Sequence, residues 1–277
     1  MANFYRTLKK RGNVNFKNGI NDSSPKDAAG QLSSTPVPYR RQVFWEDFLG
    51  YNLDNFRVHK VEAGSGSAAI EPGNTIGGTL KITNDDALND YVNMQLGNAA
   101  ATNATFQWNY NRDFWIDIRM KSPDVSSGKL DGFFGVCQSE NNIALFAHYN
   151  RIGFHFDNIL GTHVFPVCGN ATEGRTSLGD ANSFFTEVGN DEWFNLSFTY
   201  NSKTKDLKWY INDVCAYSMK LDDLNFGNLA AGFPAVDYVP VNNSTMAPTI
   251  QFKNGTAGAN TLEVDYMLVG VETEDRS

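Results

Sequence analysis

The feature that most constrains this chain is a recurrence of short aromatic and β-branched runs, many alternating with period two, set between clusters of Gly, Asn, Asp and Pro. In Phe114-Trp115-Ile116-Asp117-Ile118-Arg119-Met120-Lys121, Phe114, Ile116 and Ile118 fall on one side and Asp117 and Arg119 on the other. Side chains of a strand alternate between its faces, so this pattern is that of a half-buried strand. Similar runs begin at Val43, Thr79, Tyr91, Gly132, Ile143, Arg151, His163, Trp193, Leu207, Val214, Ile250 and Leu262. No helical stripe of comparable length competes with them. Many short strands separated by turn formers predict an all-β antiparallel sandwich. The 277 residues fit one large domain of this kind.

The charge is unevenly distributed. Residues 1–41 carry eight basic side chains (Arg6, Lys9, Lys10, Arg11, Lys17, Lys26, Arg40, Arg41) against Asp22 and Asp27, although the whole chain has net charge -8. This segment lacks sustained apolar periodicity and is rich in turn formers, which predicts an extended basic N-terminal arm over 1–41 and a folded domain over 42–277. An arm of about 40 residues reaches on the order of 130 Å when stretched. A cationic arm on an acidic body implies a partner of the arm's own, with Phe4, Tyr5, Arg6, Lys9, Lys10, Arg11, Phe16 and Lys17 as its docking residues. The acidic body argues against nucleic-acid binding by the sandwich. No apolar run reaches the length of a membrane span, and Met1 to Arg6 lacks the apolar region of a secretory signal, so the expectation is synthesis in a cytoplasm.

Near the C-terminal half, Glu192-Trp193-Phe194-Asn195-Leu196-Ser197-Phe198-Thr199-Tyr200 leads through a polar loop into Leu207-Lys208-Trp209-Tyr210-Ile211-Asn212-Asp213. This pair resembles the W-x-x-L-x-x-x-Y … L-x-x-Y-I-N-G hairpin of concanavalin A-like lectin/glucanase and laminin-G-type jelly rolls. The opening Phe44-Trp45-Glu46-Asp47-Phe48 and the closing Thr261 to Val269 are similar to the edges of those domains. The resemblance implies a concanavalin A-like jelly roll spanning nearly the whole body. Asp213 stands where the motif often has Gly, and Asp tolerates the left-handed turn geometry. Trp193, Leu196, Phe198 and Tyr200 do not share one parity, which predicts a bulge or burial on both faces of that strand.

Glucanases of this fold carry an acid triplet on one strand, because two carboxyl groups must flank the glycosidic bond. Glu263 and Asp265 supply two such positions and Met267 or Leu268 occupies the third. Both acids are expected to be exposed, with Leu262, Val264 and Tyr266 facing inward, and no catalytic residue is assigned. His59, His148, His155 and His163 lack a turn-borne nucleophile or an orienting acid at recognisable spacing and read as structural. Asp85-Asp86 and Asp222-Asp223 lack the alternating spacing of a calcium loop, and Cys137, Cys168 and Cys215 lack zinc-ligand spacing. Cys137 and Cys215 lie in apolar runs and read as small buried hydrophobes. No cofactor or metal is expected.

These readings predict a protein that is not an enzyme. The basic arm with a jelly-roll body looks like a bacteriophage virion protein, a head decoration or cement protein, with a tail position fitting almost as well. Its partners would be the major capsid or another virion protein and further copies of itself on the particle, and its location the virion. The alternative is a lectin-like carbohydrate-binding module for surface glycans, with Trp108, Tyr110, Tyr149 and Tyr238, together with Trp45, as aromatic platforms.

Overall fold

The computed structural model describes residues 41–48, 56–62, 66–73, 78–97, 106–125, 130–138, 150–156, 163–169, 186–220 and 243–272. The described residues contain strands and turns and no helix. Two antiparallel sheets pack into a sandwich.

The first sheet holds β1 (Arg41–Glu46), β3 (Ala69–Pro72), β4 (Leu80–Thr83), β7 (Phe114–Lys121), β12 (Phe194–Asn201), β13 (Asp206–Ile211), β14 (Val214–Lys220) and β16 (Thr261–Glu272). Its order is β14-β13-β12-β7-β16-β4-β3, with β1 also paired to β16. The second sheet holds β2 (Phe56–Val61), β5 (Tyr91–Leu96), β6 (Phe106–Gln107), β8 (Leu130–Gln138), β9 (Arg151–Phe156), β10 (His163–Gly169), β11 (Thr186–Glu187) and β15 (Thr245–Asn254). Its order is β11-β10-β9-β8-β15-β5-β2, with β6 beside β15. Strands distant in sequence lie side by side at the centre of both sheets.

Alternation decides which side chains meet between the sheets. Phe114, Ile116, Ile118 and Met120 of β7 join Phe194, Leu196, Phe198 and Tyr200 of β12 in one core with Phe134 and Val136 of β8 and Ile152, Phe154 and Phe156 of β9. Phe156 of the second sheet packs 5.7 Å from Phe194 of the first, centroid to centroid. The Trp209 indole N–H crosses the core to donate to the Gly153 carbonyl at 3.0 Å, which satisfies a polar group that would otherwise be stranded. Each such aromatic side chain contributes roughly 1.5–3 kcal/mol by leaving water.

The turns follow from their residues. Asn201 Oδ1 accepts from the N–H groups of Lys203 and Thr204 at 2.9 and 3.1 Å, closing the β12–β13 connection. Asn212 and Asp213, with φ of 49° and 65°, make the next turn, where both central residues must be left-handed to match strand twist.

One local expectation is narrowed and two are corrected. β12 pairs with β7 and β13 without a register shift, so it has no bulge, and burial reaches its other face at Ser197; Trp193 lies ahead of the strand, its ring 5.0 Å from the Arg119 guanidinium. Register shifts sit instead between Trp209 and Tyr210, where β13 meets β14, and in β16 between Val264 and Tyr266, where the alternation reverses. Leu262, Val264, Met267 and Val269 therefore face the core, whereas the Tyr266 hydroxyl reaches Asp117 Oδ2 at 3.3 Å on the opposite face. Cys137 and Cys168 are buried, but Cys215 is exposed on β14. Burial pushes the Cys168 thiol far above its ordinary range, so it stays protonated and inert.

Candidate functional site

The side of the second sheet turned away from the core is built from residues that sequence periodicity assigns to the polar half of each strand. With Phe56 of β2, Val92 and Met94 of β5, Ile250 and Phe252 of β15, and Phe154 and Phe156 of β9 in the core, the alternate positions form an outer face. Cross-strand register arranges that face in rows. One row runs His59, Asn93, Gln251, Phe133, His155, Phe165. The next runs Arg57, Gln95, Thr249, Gly135, Gly153, Val167.

Although this face lies outside the core, its polar side chains are buried: Gln95 and Thr249 at 1% exposure, Gln251 at 2%, Asn93 at 3%, Asp131 and His155 at 4%, Arg151 at 5% and Arg57 at 8%. They bond to one another along the rows. Arg57 donates to Gln95 Oε1 at 2.8 Å, and Gln95 Nε2 donates to Thr249 Oγ1 at 3.0 Å. Asp131 binds Lys253 at 3.2 Å through one oxygen and His155 Nε2 at 3.4 Å through the other. His59 Nε2 and Asn93 Oδ1, on register partners, are buried and have no hydrogen-bond partner among the described residues. Burial holds the Tyr91 phenol, paired in register with Lys253, above its ordinary value of 10.0, so it remains a proton donor at neutral pH.

Gly135 and Gly153 face each other at the centre. A Cβ on Gly153 would lie 2.2 Å from the Phe134 carbonyl oxygen, and one on Gly135 would lie 2.2 Å from the Ile152 oxygen. Only glycine permits that approach, and it leaves the middle of the row without side chains. Phe133, Cys137 and Val167 form a small apolar cluster beside it, separate from the main core. The arrangement brings together amide and hydroxyl groups, two guanidiniums, two imidazoles and an apolar strip.

The residues chosen from sequence fall elsewhere. Trp108 is 0% exposed and packs 4.9 Å from the Tyr200 ring, so it fills the core and offers no platform. Tyr110 is half-buried beside Trp108, and its carbonyl accepts from the Tyr200 hydroxyl and Lys205, both at 2.7 Å. Tyr149, Tyr238 and the Trp45 side chain lie outside the described residues, as do the arm positions Phe4, Tyr5, Arg6, Lys9, Lys10, Arg11, Phe16 and Lys17, and His148 and Asp222-Asp223. Asp85 is buried and accepts from the Gly66 N–H at 3.0 Å, while Asp86 is exposed. Among the described residues no group of three or more His, Cys, Asp or Glu side chains is placed to hold a metal ion.

Glu263 and Asp265 lie on the outer face of the first sheet. Their side chains are 18% and 14% exposed, less open than the sequence predicts, because Lys121 approaches Glu263 at 3.6 Å and Arg119 binds Asp265 at 2.6 Å. Burial weighs most on Lys121 and disfavours its charge, but the hydrogen bond to Asp191 and the charges of Glu263 and Asp191 outweigh it and raise its pKa above 10.5. These carboxylates are anchored by cations rather than poised opposite each other. The functional signal that periodicity could have supplied is the polar half of β2, β5 and β15: Arg57/His59, Asn93/Gln95 and Thr249/Gln251/Lys253.

No protein-family model and no curated protein sequence matches the chain. Solved structures do match in shape. The carbohydrate recognition domain of Emp46p, in its potassium-bound form, is 12% identical, with a TM-score of 0.51 over 81% of this chain and 94% of that one. An endo-1,3-beta-glucanase from Streptomyces sioyaensis is 13% identical, with a TM-score of 0.52 over 87% of this chain and all of that one, 100%. The expectation that the chain is not an enzyme is corrected by this second likeness: a glucanase is built on the same fold, so the fold gives no ground for excluding catalysis. The incomplete acid set on β16 ruled out one arrangement at one place, not catalysis by the chain. At these identities the likeness establishes architecture, and the architecture is that of the concanavalin A-like lectin/glucanase jelly roll.

Proposed function

We propose that this protein is a lectin-like carbohydrate-binding module whose ligand lies on the outer face of the second sheet. The observation that carries the reading is the buried polar layer of Asn93, Gln95, Thr249 and Gln251, outside the core and beside Gly135 and Gly153. A buried polar layer costs stability unless each group is paired. His59 Nε2 and Asn93 Oδ1 keep hydrogen-bonding capacity that sugar hydroxyls can use. The shared fold of a carbohydrate recognition domain supports the reading as architecture. A glycan array with the full chain tests it, followed by titration of the best ligand against Asn93→Ala and Gln251→Ala. Saturable binding weakened roughly tenfold or more by either change is expected, since each removes about one or two hydrogen bonds. Undiminished binding by both variants would move the site off this face, and no glycan bound would refute the module. The bound glycan is assayed for new reducing ends in the same experiment.

A second reading, attachment to a virion or another large assembly, is supported by the opposite charges of residues 1–41 and the body. Deleting residues 1–38 would then abolish co-sedimentation with particles lacking the protein, and unchanged co-sedimentation would refute docking by the arm.

A further inference from the structure

Two connections cross one end of the sandwich and bond to each other. Residues 84–90 lead from β4 in the first sheet to β5 in the second, and residues 254–260 lead from the end of β15 back to β16. The Asn254 N–H donates to the Asp90 carbonyl at 2.9 Å, the Asn89 N–H to the Asn254 carbonyl at 3.2 Å and the Gly258 N–H to the Asp86 carbonyl at 2.6 Å. The side chains enclosed there are polar: Asp90 and Asn254 are 0% exposed, Asn84 is 1% exposed and Asp85 8%. Neither segment contains a basic residue, whereas the first carries Asp85, Asp86 and Asp90.

The two asparagine amides are oriented by their nitrogens. Asn84 Nδ2 donates to the Asp90 and Phe252 carbonyls at 3.3 and 3.1 Å, and Asn254 Nδ2 donates to the Asp85 carbonyl and, at 3.3 Å, to that of Ala87. Turning either amide over would set its oxygen against two carbonyl oxygens, so the network fixes which end points where. Asn84 Oδ1 and Asn254 Oδ1 are left buried, with no hydrogen-bond partner among the described residues. An acceptor at that depth requires a donor or a cation. The Asp90 carboxylate, in the same network, accepts from the Ala87 N–H at 3.1 Å.

We propose that this junction holds a calcium ion, with the Asn84 and Asn254 amide oxygens and the Asp90 carboxylate as its side-chain ligands. Calcium takes roughly six to eight oxygens in flexible geometry and accepts carboxylates, amides and carbonyls alike. Backbone carbonyls of the two segments, each with a second lone pair, and water complete the set. An all-oxygen set does not suit zinc, which prefers nitrogen and sulfur, and magnesium demands a near-ideal octahedron and keeps its water. Asp85-Asp86 does not space a calcium loop within one segment, but the donors here come from two, which only the fold brings together. An ion at this place offsets the carboxylate charge, joins the two sheets at one end and fixes the start of β5. Calcium binding here is independent of glycan binding on the outer face of the second sheet.

The test strips the full chain with a chelator and titrates it with calcium chloride by isothermal titration calorimetry, with magnesium chloride and potassium chloride as comparators. Saturable binding of one calcium ion per chain is expected, roughly tenfold or more tighter than magnesium, together with a rise in Tm that grows with calcium concentration. Asp90→Asn keeps the shape and an acceptor for the Ala87 N–H but removes a charge, and should weaken calcium binding roughly tenfold or more. Glu71→Gln, which removes an exposed carboxylate from β3, should leave it unchanged. Should Asp90→Asn fail to fold, side-chain amide resonances of the unaltered chain decide: those of Asn84 and Asn254 should shift with bound calcium, and those of Asn195 and Asn201 should not. Absence of saturable calcium binding, undiminished affinity in Asp90→Asn, or calcium-dependent shifts that spare Asn84 and Asn254 would each overturn the proposal.

Discussion

On the outer face of the first sheet, Arg119 and Lys121 meet Asp265, Glu263 and Asp191 across neighbouring strands and at the sheet's end, with Trp193 stacked near both cations. On the outer face of the second sheet, the described side chains join the Asp131–Lys253–His155 cluster to rows of amide and hydroxyl groups, and they are more deeply buried. Both faces flank the same apolar core, so folding alone does not demand the difference. The first face follows the usual logic of a sheet surface, in which cross-strand pairs of opposite charge offer modest stabilisation. The second carries polar groups at a burial where water contributes little, around a row whose middle positions are two glycines. Proteins concentrate such arrangements where a ligand is to be met.

The sharpest contrast is expected from carboxylate removal. Asp131→Ala removes a buried carboxylate and leaves the half-buried Lys253 and the buried His155 without their partner, and should cost about 3 kcal/mol of unfolding free energy in urea titration. Asp265→Asn and Glu263→Gln on the first face should each cost at most about 1 kcal/mol and leave glycan affinity unchanged. Equal losses from the two faces would erase the distinction between them.

Next in size is the glycine pair. Gly153→Ala places a methyl group 2.2 Å from the Phe134 carbonyl oxygen, backbone that cannot swing aside. The strands must part, at a cost of roughly 2–3 kcal/mol, and glycan affinity should fall with stability. Gly270→Ala on the first face meets the Trp115 ring at 2.1 Å, a side chain rather than backbone, and should alter stability without altering affinity.

The smallest effect is in the pH response of the first face. Lys121 is held above its ordinary pKa of 10.5, so its contribution to stability is complete below that value and declines as pH rises through the folded-state pKa. Lys121→Met should remove this alkaline loss, amounting to no more than about 1 kcal/mol, and leave acid stability unchanged. An unaltered alkaline limb would mean that the Lys121 network contributes nothing.

The strands were legible wherever alternation was strong. Tyr91–Leu96, Phe114–Lys121 and Arg151–Phe156 are strands with the limits their sequence suggests, and the Asn212-Asp213 turn follows from residue chemistry. β2, Phe56–Val61, carries only two core-facing apolar side chains among Arg57, His59 and Lys60, and its signal was diluted by the very groups that make the outer face. β3 is a short, mostly exposed edge strand, and β6 and β11 are two residues long, too short for any period to register. The bulge in β16 was illegible because Leu262 to Val271 reads as apolar on either phase, and only pairing with β7 fixes where alternation reverses. The site escaped notice for a different reason. Arg57, Gln95, Thr249, Asp131 and Arg151 come from five strands, and only the sheet order brings them into adjacent rows. Trp108, prominent as an aromatic in sequence, is prominent in the structure as core.

The central claim, that ligand binding belongs to the outer face of the second sheet, is tested most directly by nuclear magnetic resonance of the side-chain amides during titration with the glycan found to bind. The account predicts that the Asn93, Gln95 and Gln251 amide resonances shift in proportion to bound glycan, while those of Asn195 and Asn201 on the first sheet do not move. Shifts confined to Asn195 and Asn201, or an unmoved Asn93, Gln95 and Gln251 under saturating glycan, would contradict it.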